Sequence, residues 1–383
     1  MTADAGKTLA FEVRRDDLRT IRCVAGAAPE KIALERGQAL LKVDKFAFTA
    51  NNITYAACGE AMDYWKFFPA TDDRWGCIPV WGFGDVLASN APGVAAGERF
   101  YGYFPMSSHV VLQPDQAGSA GFADGAAHRK ALHPVYNRYD RTSADPGYAA
   151  AREAQHMLLR PLFITSFLLD DFLADNEFFG AGTVVLSSAS SKTAYGTAFL
   201  LARRSELEVI GLTSASNQAF VQSLGCYDQV LSYERLGELD SETPVVYVDL
   251  AGNLALRGQV HEHYGMYLKY SCAVGGAHWE AAARAAPPRD EAGESVKRDA
   301  MPGARPILFF APAQIKKRHA DWGAAGLQQR IAGAWKSFMA PVCDPAKPWL
   351  KVIETPGQEA AERVYRQMLT GRSRPEEGYV LSL

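Results

Sequence analysis

The sequence contains no Cys-x-x-Cys pair. Its six cysteines (Cys23, Cys58, Cys77, Cys226, Cys272 and Cys343) lie far apart, which argues against a disulfide-stapled module, a zinc knuckle or a redox dithiol and predicts reduced, mostly buried thiols. There is no excess of positive charge either: Lys+Arg number 40 against 43 for Asp+Glu, a net charge of -3. Without a basic field, nucleic acid is not an expected partner. No apolar signal core opens the chain, because residues 1–10 carry Asp4 and Lys7. The strongest apolar run, residues 162–169, stops at Asp170 and Asp171, too short to span a bilayer. The expectation is a cytoplasmic protein with no membrane partner. Internal repeats and low-complexity tracts are also missing.

What is present is ordinary globular material. Hydrophobic residues make up 48% and charged residues 22% of 383 residues, enough for more than one core and a soft expectation of two or three domains. From residue 183 onward, short β-branched runs alternate with helix-length segments. Strands are predicted over residues 183–188, 208–212, 229–232, 244–249, 268–274 and 306–310, with helices over 192–204, 215–224 and 253–263. Such alternation assembles into an open parallel sheet. The first 115 residues read instead as strands (7–13, 38–48, 78–89, 99–104, 110–113) separated by Gly, Pro and Asn clusters, a β-rich barrel. A bridging helix is predicted over 158–174 with Pro161 in its first turn, and residues 285–304 read as a polar surface loop. The tail from Trp349 reads strand, helix (358–369), strand (379–383), returning to the first domain. The resulting boundaries are a barrel-like domain at 1–150, completed by 340–383, and a parallel-sheet domain at 151–339.

Several landmarks in this order resemble the medium-chain dehydrogenase/reductases: Gln38 to Asp44 followed by Asn51 and Asn52, Ile78 to Gly84, Gly97 to Gly102, Val184 to Ala202, Leu224 to Asp228, Val246 to Gly252, and the ending Gly378 to Leu383. The strings Ser187 to Thr193, Arg160 to Phe163 and Val274 to Trp279 look like those of a branch classed as a domain of unknown function. The resemblance covers nearly the whole chain. It implies an α/β fold made of a GroES-like β-barrel catalytic domain and a Rossmann doubly wound parallel-sheet domain, a small-molecule substrate, and a nicotinamide cofactor; it also allows a homodimer.

The family's catalytic zinc needs thiolate, imidazole and carboxylate converging with one open position. The matching places here hold Asn52 and Gly82-Phe83-Gly84, so the expectation is a metal-free site like that of the quinone and enoyl reductase branches. Cofactor phosphates in such folds meet free amides at the first strand-to-helix turn, where glycines admit the backbone. Here that turn, Ser188-Ala189-Ser190-Ser191-Lys192-Thr193, has no glycine. Two readings stand: the hydroxyls of Ser188, Ser190, Ser191 and Thr193 with the Lys192 ammonium hold the pyrophosphate, or the serines simply cap a helix. A Walker A loop is ruled out by Leu186 and Ser191 at its required glycines.

At the end of the second strand, Thr213, Ser214 and Asn217 stand where a carboxylate would select NAD, which favours NADP. The resemblance adds Tyr233 as a 2′-phosphate contact and Thr165 near the nicotinamide. It also puts Asn51, Asn52 and Tyr55 in the active-site loop, with Tyr55 the preferred donor to a developing enolate or phenolate oxygen. Tyr64 to Phe68 offer an aromatic substrate wall, and His278 and Trp279 follow the fifth sheet strand. The leading expectation is therefore a zinc-independent NADPH-linked oxidoreductase acting on a carbonyl, enone or quinone. A noncatalytic dinucleotide-binding sensor or interaction protein, and a lyase or isomerase without net redox change, stay open beside it.

Overall fold

The computed structural model describes residues 6–274 and 301–383. By its internal contacts the chain divides into two units, Met1–Arg160 with Leu350–Leu383, and Pro161–Trp349.

The first unit is mostly antiparallel sheet. Strands β1 (Leu9–Arg14), β2 (Ile21–Ala25) and β4 (Trp75–Gly76) form a small sheet in the order β2-β1-β4. A larger one contains β3 (Ala39–Phe48), β5 (Pro79–Ser89), β6 (Arg99–Pro105), β7 (His109–Leu112), β8 (Pro114–Gly118), β9 (Gly121–Asp124) and β10 (Arg138–Arg141), together with β17 (Lys351–Pro356) and β18 (Glu377–Ser382) from the tail. Its order is β17-β18-β3-β5-β6-β10-β9-β8, with β7 pairing β3. Tyr379 opposite Phe48 ties the tail to β3. Period-2 alternation gives this sheet its two faces: Val80, Val86, Phe100 and Phe104 point into the core with Phe11, Phe46 and Phe48. A further helix, Gln358–Leu369, lays Ala361, Val364, Tyr365 and Met368 on the same core at helical spacing.

In the second unit, β11 (Thr183–Leu186), β12 (Glu208–Thr213), β13 (Gln229–Ser232), β14 (Val245–Asp249), β15 (Leu268–Ala273) and β16 (Pro306–Leu308) form one sheet of order β13-β12-β11-β14-β15-β16. All its described pairings are parallel. This is the doubly wound order, reversing between β11 and β14, where such sheets open a crevice at the strands' carboxyl ends. Every residue of β11 is buried, which is why that run reads as continuously apolar rather than alternating.

Three features differ from the sequence reading. Asn51, Asn52 and Tyr55 lie not on a loop but on a helix, α1 (Ala50–Ala57), nucleated by a capping box between Thr49 and Asn52. The bridging helix, α2 (Glu153–Asp175), begins five residues earlier than expected, so Pro161 sits inside it rather than in its first turn; that position gives up one backbone hydrogen bond. After α3 (Lys192–Leu201), α4 (Gln218–Ser223) and α5 (Leu254–Tyr264), a long helix, α6 (Ala311–Val342), follows β16. It is interrupted only by Gly323 at φ 71°. No such helix was read from the sequence. His278, Trp279 and most of the polar stretch 285–304 lie outside the described residues.

No helix of the described residues is long and apolar enough to cross a membrane. All six cysteines are free, and burial pushes the Cys77 and Cys226 thiols up to about 12, which keeps them protonated and unreactive.

Candidate active site

The β11–α3 turn is built by its serines. Ser187, fully buried, donates to Asp249 Oδ1 at 3.0 Å and accepts from the amides of Leu250 and Ala251. This joins the turn to the end of β14 across the point where strand order reverses. Asp249 is itself paired with Arg257 at 2.7 Å, so its charge is neutralised in place. Ser188 adopts φ 51°, the left-handed region where glycine is the usual choice, at a cost of roughly 1–2 kcal/mol for a side-chain-bearing residue. Ser191 caps α3 by accepting from the Ala194 amide at 3.3 Å. Ser190 accepts from Asn217 Nδ2 at 3.1 Å, which brings the turn after β12 against the turn after β11. Lys192 and Thr193 open α3, half-buried. One turn on, Gly196 lets α2 pack closely, since a Cβ there would come within 2.8 Å of Ser166 Oγ.

The other nucleotide candidates gather at the same carboxyl edge. Thr213 ends β12 beside Ser232 of β13, and its buried hydroxyl has no hydrogen-bond partner among the described residues. Ser214 meets Ser216 at 3.1 Å. Tyr233 follows β13; burial raises its phenol, while the Ser188 amide pulls in the opposite direction, so the two residues are neighbours. Thr165 stands apart on α2, with its hydroxyl turned back to the Pro161 carbonyl at 3.5 Å. Sequence reading missed Tyr227, which donates to the Ala189 carbonyl at 2.8 Å and fills the space beside Gly211.

In the first unit, α1 presents two polar residues with different duties. Asn52 is spent on structure: its Oδ1 accepts from the Thr49 amide at 2.8 Å and its Nδ2 donates to the Pro79 carbonyl at 3.0 Å. Tyr55, 7% exposed, accepts a hydrogen bond from Asn51 Nδ2 at 2.7 Å. Burial raises the Tyr55 phenol well above its ordinary range, against the opposing pull of Trp81, Asn51 and Tyr103. Around it lies an aromatic cluster that includes Tyr64, Phe67, Tyr103 and Tyr136. The expected wall over residues 64–68 is thus divided: Tyr64 and Phe67 join Tyr55, whereas Trp65 belongs to the barrel core. Trp81 and Tyr103, opposite each other on β5 and β6, were not singled out from the sequence. The alternation Trp81-Gly82-Phe83 against Tyr101-Gly102-Tyr103 was the available signal.

Farther along the same sheet face, Arg99 gathers Asp44, Asp85 and Glu153 at 2.6–2.9 Å. Burial opposes ionisation of Glu153, but Arg99, Lys45 and Tyr148 outweigh it and hold the carboxyl near 2. His156, stacked edge-on to Tyr101, is lowered to about 3 by burial and the Arg160 charge. Among the described residues, no three His, Cys, Asp or Glu side chains converge to hold a metal ion.

This arrangement has the fold of the medium-chain dehydrogenase/reductases, a GroES-like unit joined to a Rossmann unit. CurA from Vibrio vulnificus, solved in complex with NADPH, superposes with a TM-score of 0.60 at 13% identity over 98% of both chains. The mitochondrial 2-enoyl thioester reductase heterodimer of Candida tropicalis gives 0.56 at 10% identity over 98% of this chain and 100% of that one. The quinone oxidoreductase from Coxiella burnetii gives 0.52 at 14% identity over 98% and 99%. Within that class, the chain belongs to the family described as protein of unknown function (DUF2855), whose model matches residues 46–374. No curated protein matches it.

Proposed function

We propose that the chain is a zinc-independent, NADP(H)-linked oxidoreductase acting on a conjugated carbonyl, an enone or a quinone. The observation that carries this reading is the donor set at the crevice of the parallel sheet. Ser188, Ser190, Ser191 and Thr193 surround the turn after β11, Ser190 bonded to Asn217, and no carboxylate lies between Thr213 and Asn217. Hydroxyls, an amide and the Lys192 ammonium suit phosphate oxygens. The buried Thr213 hydroxyl, without a partner among the described residues, supplies one more polar group for a ligand to satisfy. Asp249 is paired with Arg257, which leaves Glu234 as the carboxylate beside Tyr233 that opposes an anion there. Three relatives in fold add support, being an NADPH complex, an enoyl thioester reductase and a quinone oxidoreductase.

In this reading Ser188, Ser190, Ser191, Lys192 and Thr193 hold the pyrophosphate. Thr213, Ser214, Asn217 and Tyr233 hold the 2′-phosphate, and Thr165 is assigned to the nicotinamide end. When bound, the nicotinamide supplies or removes a hydride. Tyr55 holds its proton at neutral pH, because burial disfavours the phenolate. The hydrogen bond from Asn51 occupies a lone pair of the Tyr55 oxygen, leaving the O–H to serve a substrate oxygen as charge develops on it. Asn52 contributes by fixing the start of α1.

The test is NADPH oxidation by the purified chain across a panel of enones and quinones, with nucleotide carried through purification identified by absorbance and mass spectrometry. Turnover of a panel member is expected. Nucleotide binding without turnover of any member would favour the sensor reading, and absence of both binding and turnover would overturn the proposal.

A further inference from the structure

We propose that Trp81 and Tyr103 form, beside Tyr55, a donor cradle for the oxygen of an aryl oxyanion, making planar aromatic molecules with an ionisable oxygen the substrate class of this site. The inference rests on the reading of Tyr55 as the proton donor. Register places the two residues: Trp81 lies directly opposite Tyr103, and Phe83 opposite Tyr101, on one face of β5 and β6. Ring centroids are 5.0 Å apart for Trp81 and Tyr103, 5.5 Å for the stacked pair Trp81 and Tyr101, and 5.9 Å for Tyr55 and Tyr103.

The polar atoms of this face are an indole N–H and hydroxyls, each with a proton to donate. Trp81 Nε1, Tyr101 Oη and Tyr103 Oη are all buried and make no close hydrogen bond among the described residues, although Trp81 and Tyr103 stand near enough to the Tyr55 hydroxyl to pull on its proton. An indole N–H can only donate, and Asn51 already donates to Tyr55. The Tyr103 carbonyl is taken by the Tyr139 hydroxyl at 2.5 Å. Buried donors left unmatched are unfavourable, and an oxygen with several lone pairs satisfies them together, an anionic one best. The surrounding rings leave planar aromatic surface as the natural complement. Trp81 and Tyr136 are only half-buried, so the cluster reaches its surface on that side. Among more distant charges, Arg160 favours an anion near Tyr101, while Asp140 and Asp145 oppose it.

The probe is 4-nitrophenol, titrated into the purified full-length chain without nucleotide at about one pH unit below its solution pKa, with its absorbance reporting the ionisation state. The expected result is binding as the phenolate, weakened about tenfold or more in both Trp81→Phe and Tyr103→Phe, with NADPH affinity unchanged in both variants. Each substitution keeps a ring and removes one donor, so if one variant fails to fold the other decides. Binding as the neutral phenol, no binding at all, or affinity unchanged in a folded variant would overturn the cradle. A parent that binds nitrophenolate but not NADPH upholds the cradle while sinking the oxidoreductase reading; the reverse sinks the cradle alone.

Discussion

Asn51 Nδ2 lies 2.7 Å from the Tyr55 hydroxyl, one helical turn away on α1. The phenol therefore receives a hydrogen bond and keeps its own proton for another acceptor. Tyr55→Phe removes that proton and retains the ring. Turnover of an enone or quinone is expected to fall about 100-fold to 1000-fold, with melting temperature and NADPH affinity close to the parent, because Asn51 is exposed and water can take over its hydrogen bond. Unchanged turnover in a folded variant would eliminate the role.

Lys192→Ala is expected to weaken NADPH binding by about 1.5–3 kcal/mol, the usual worth of a charge-assisted hydrogen bond to phosphate, without loss of fold. Calorimetry giving equal affinities would return Lys192 to the surface of α3.

Ser214→Asp places a carboxylate in the turn after β12, where it repels a 2′-phosphate and accepts from ribose hydroxyls. The ratio of NADPH to NADH affinity is expected to narrow or invert. A ratio identical to the parent's would remove the turn from the nucleotide site.

His156 gives a prediction about pH. Burial lowers its folded pKa to about 3, whereas the unfolded value is about 6.5. Below pH 6.5 the unfolded chain therefore binds the extra proton, so this contribution to stability is full above that pH and declines as pH falls toward 3. Between pH 7.5 and 5.5, His156→Phe should flatten the stability profile by up to one proton's worth, about 1.4 kcal/mol per pH unit at the acidic end. Depressed His109 and His261 leave a residual slope. Denaturant titrations with identical slopes for parent and variant would contradict the burial argument.

The Rossmann unit was legible because its strands are short, apolar and regularly spaced; the 229–232 strand and the return of the tail to the first unit were read directly. Other features were hidden by local punctuation. Pro312, Gly323, Gly326, Gly333 and Pro341 break up the pattern of α6, whose continuity comes from packing residues such as Leu327, Trp335 and Phe338. Asn51 and Asn52 resemble loop residues, and only the bonds between Thr49 and Asn52 turn that segment into a helix. Resemblance directed attention to α1, yet Trp81 and Tyr103 matter through cross-strand register, a relation between residues 22 positions apart that no local window contains.

The most direct test of the account is a calorimetric titration of the purified chain with NADPH and, in parallel, NADH. The prediction is saturable binding at one site per chain, tighter for NADPH, because the turns after β11 and β12 offer hydroxyls, an amide and an ammonium with no carboxylate to oppose the 2′-phosphate. Absence of saturable binding for both nucleotides would contradict it.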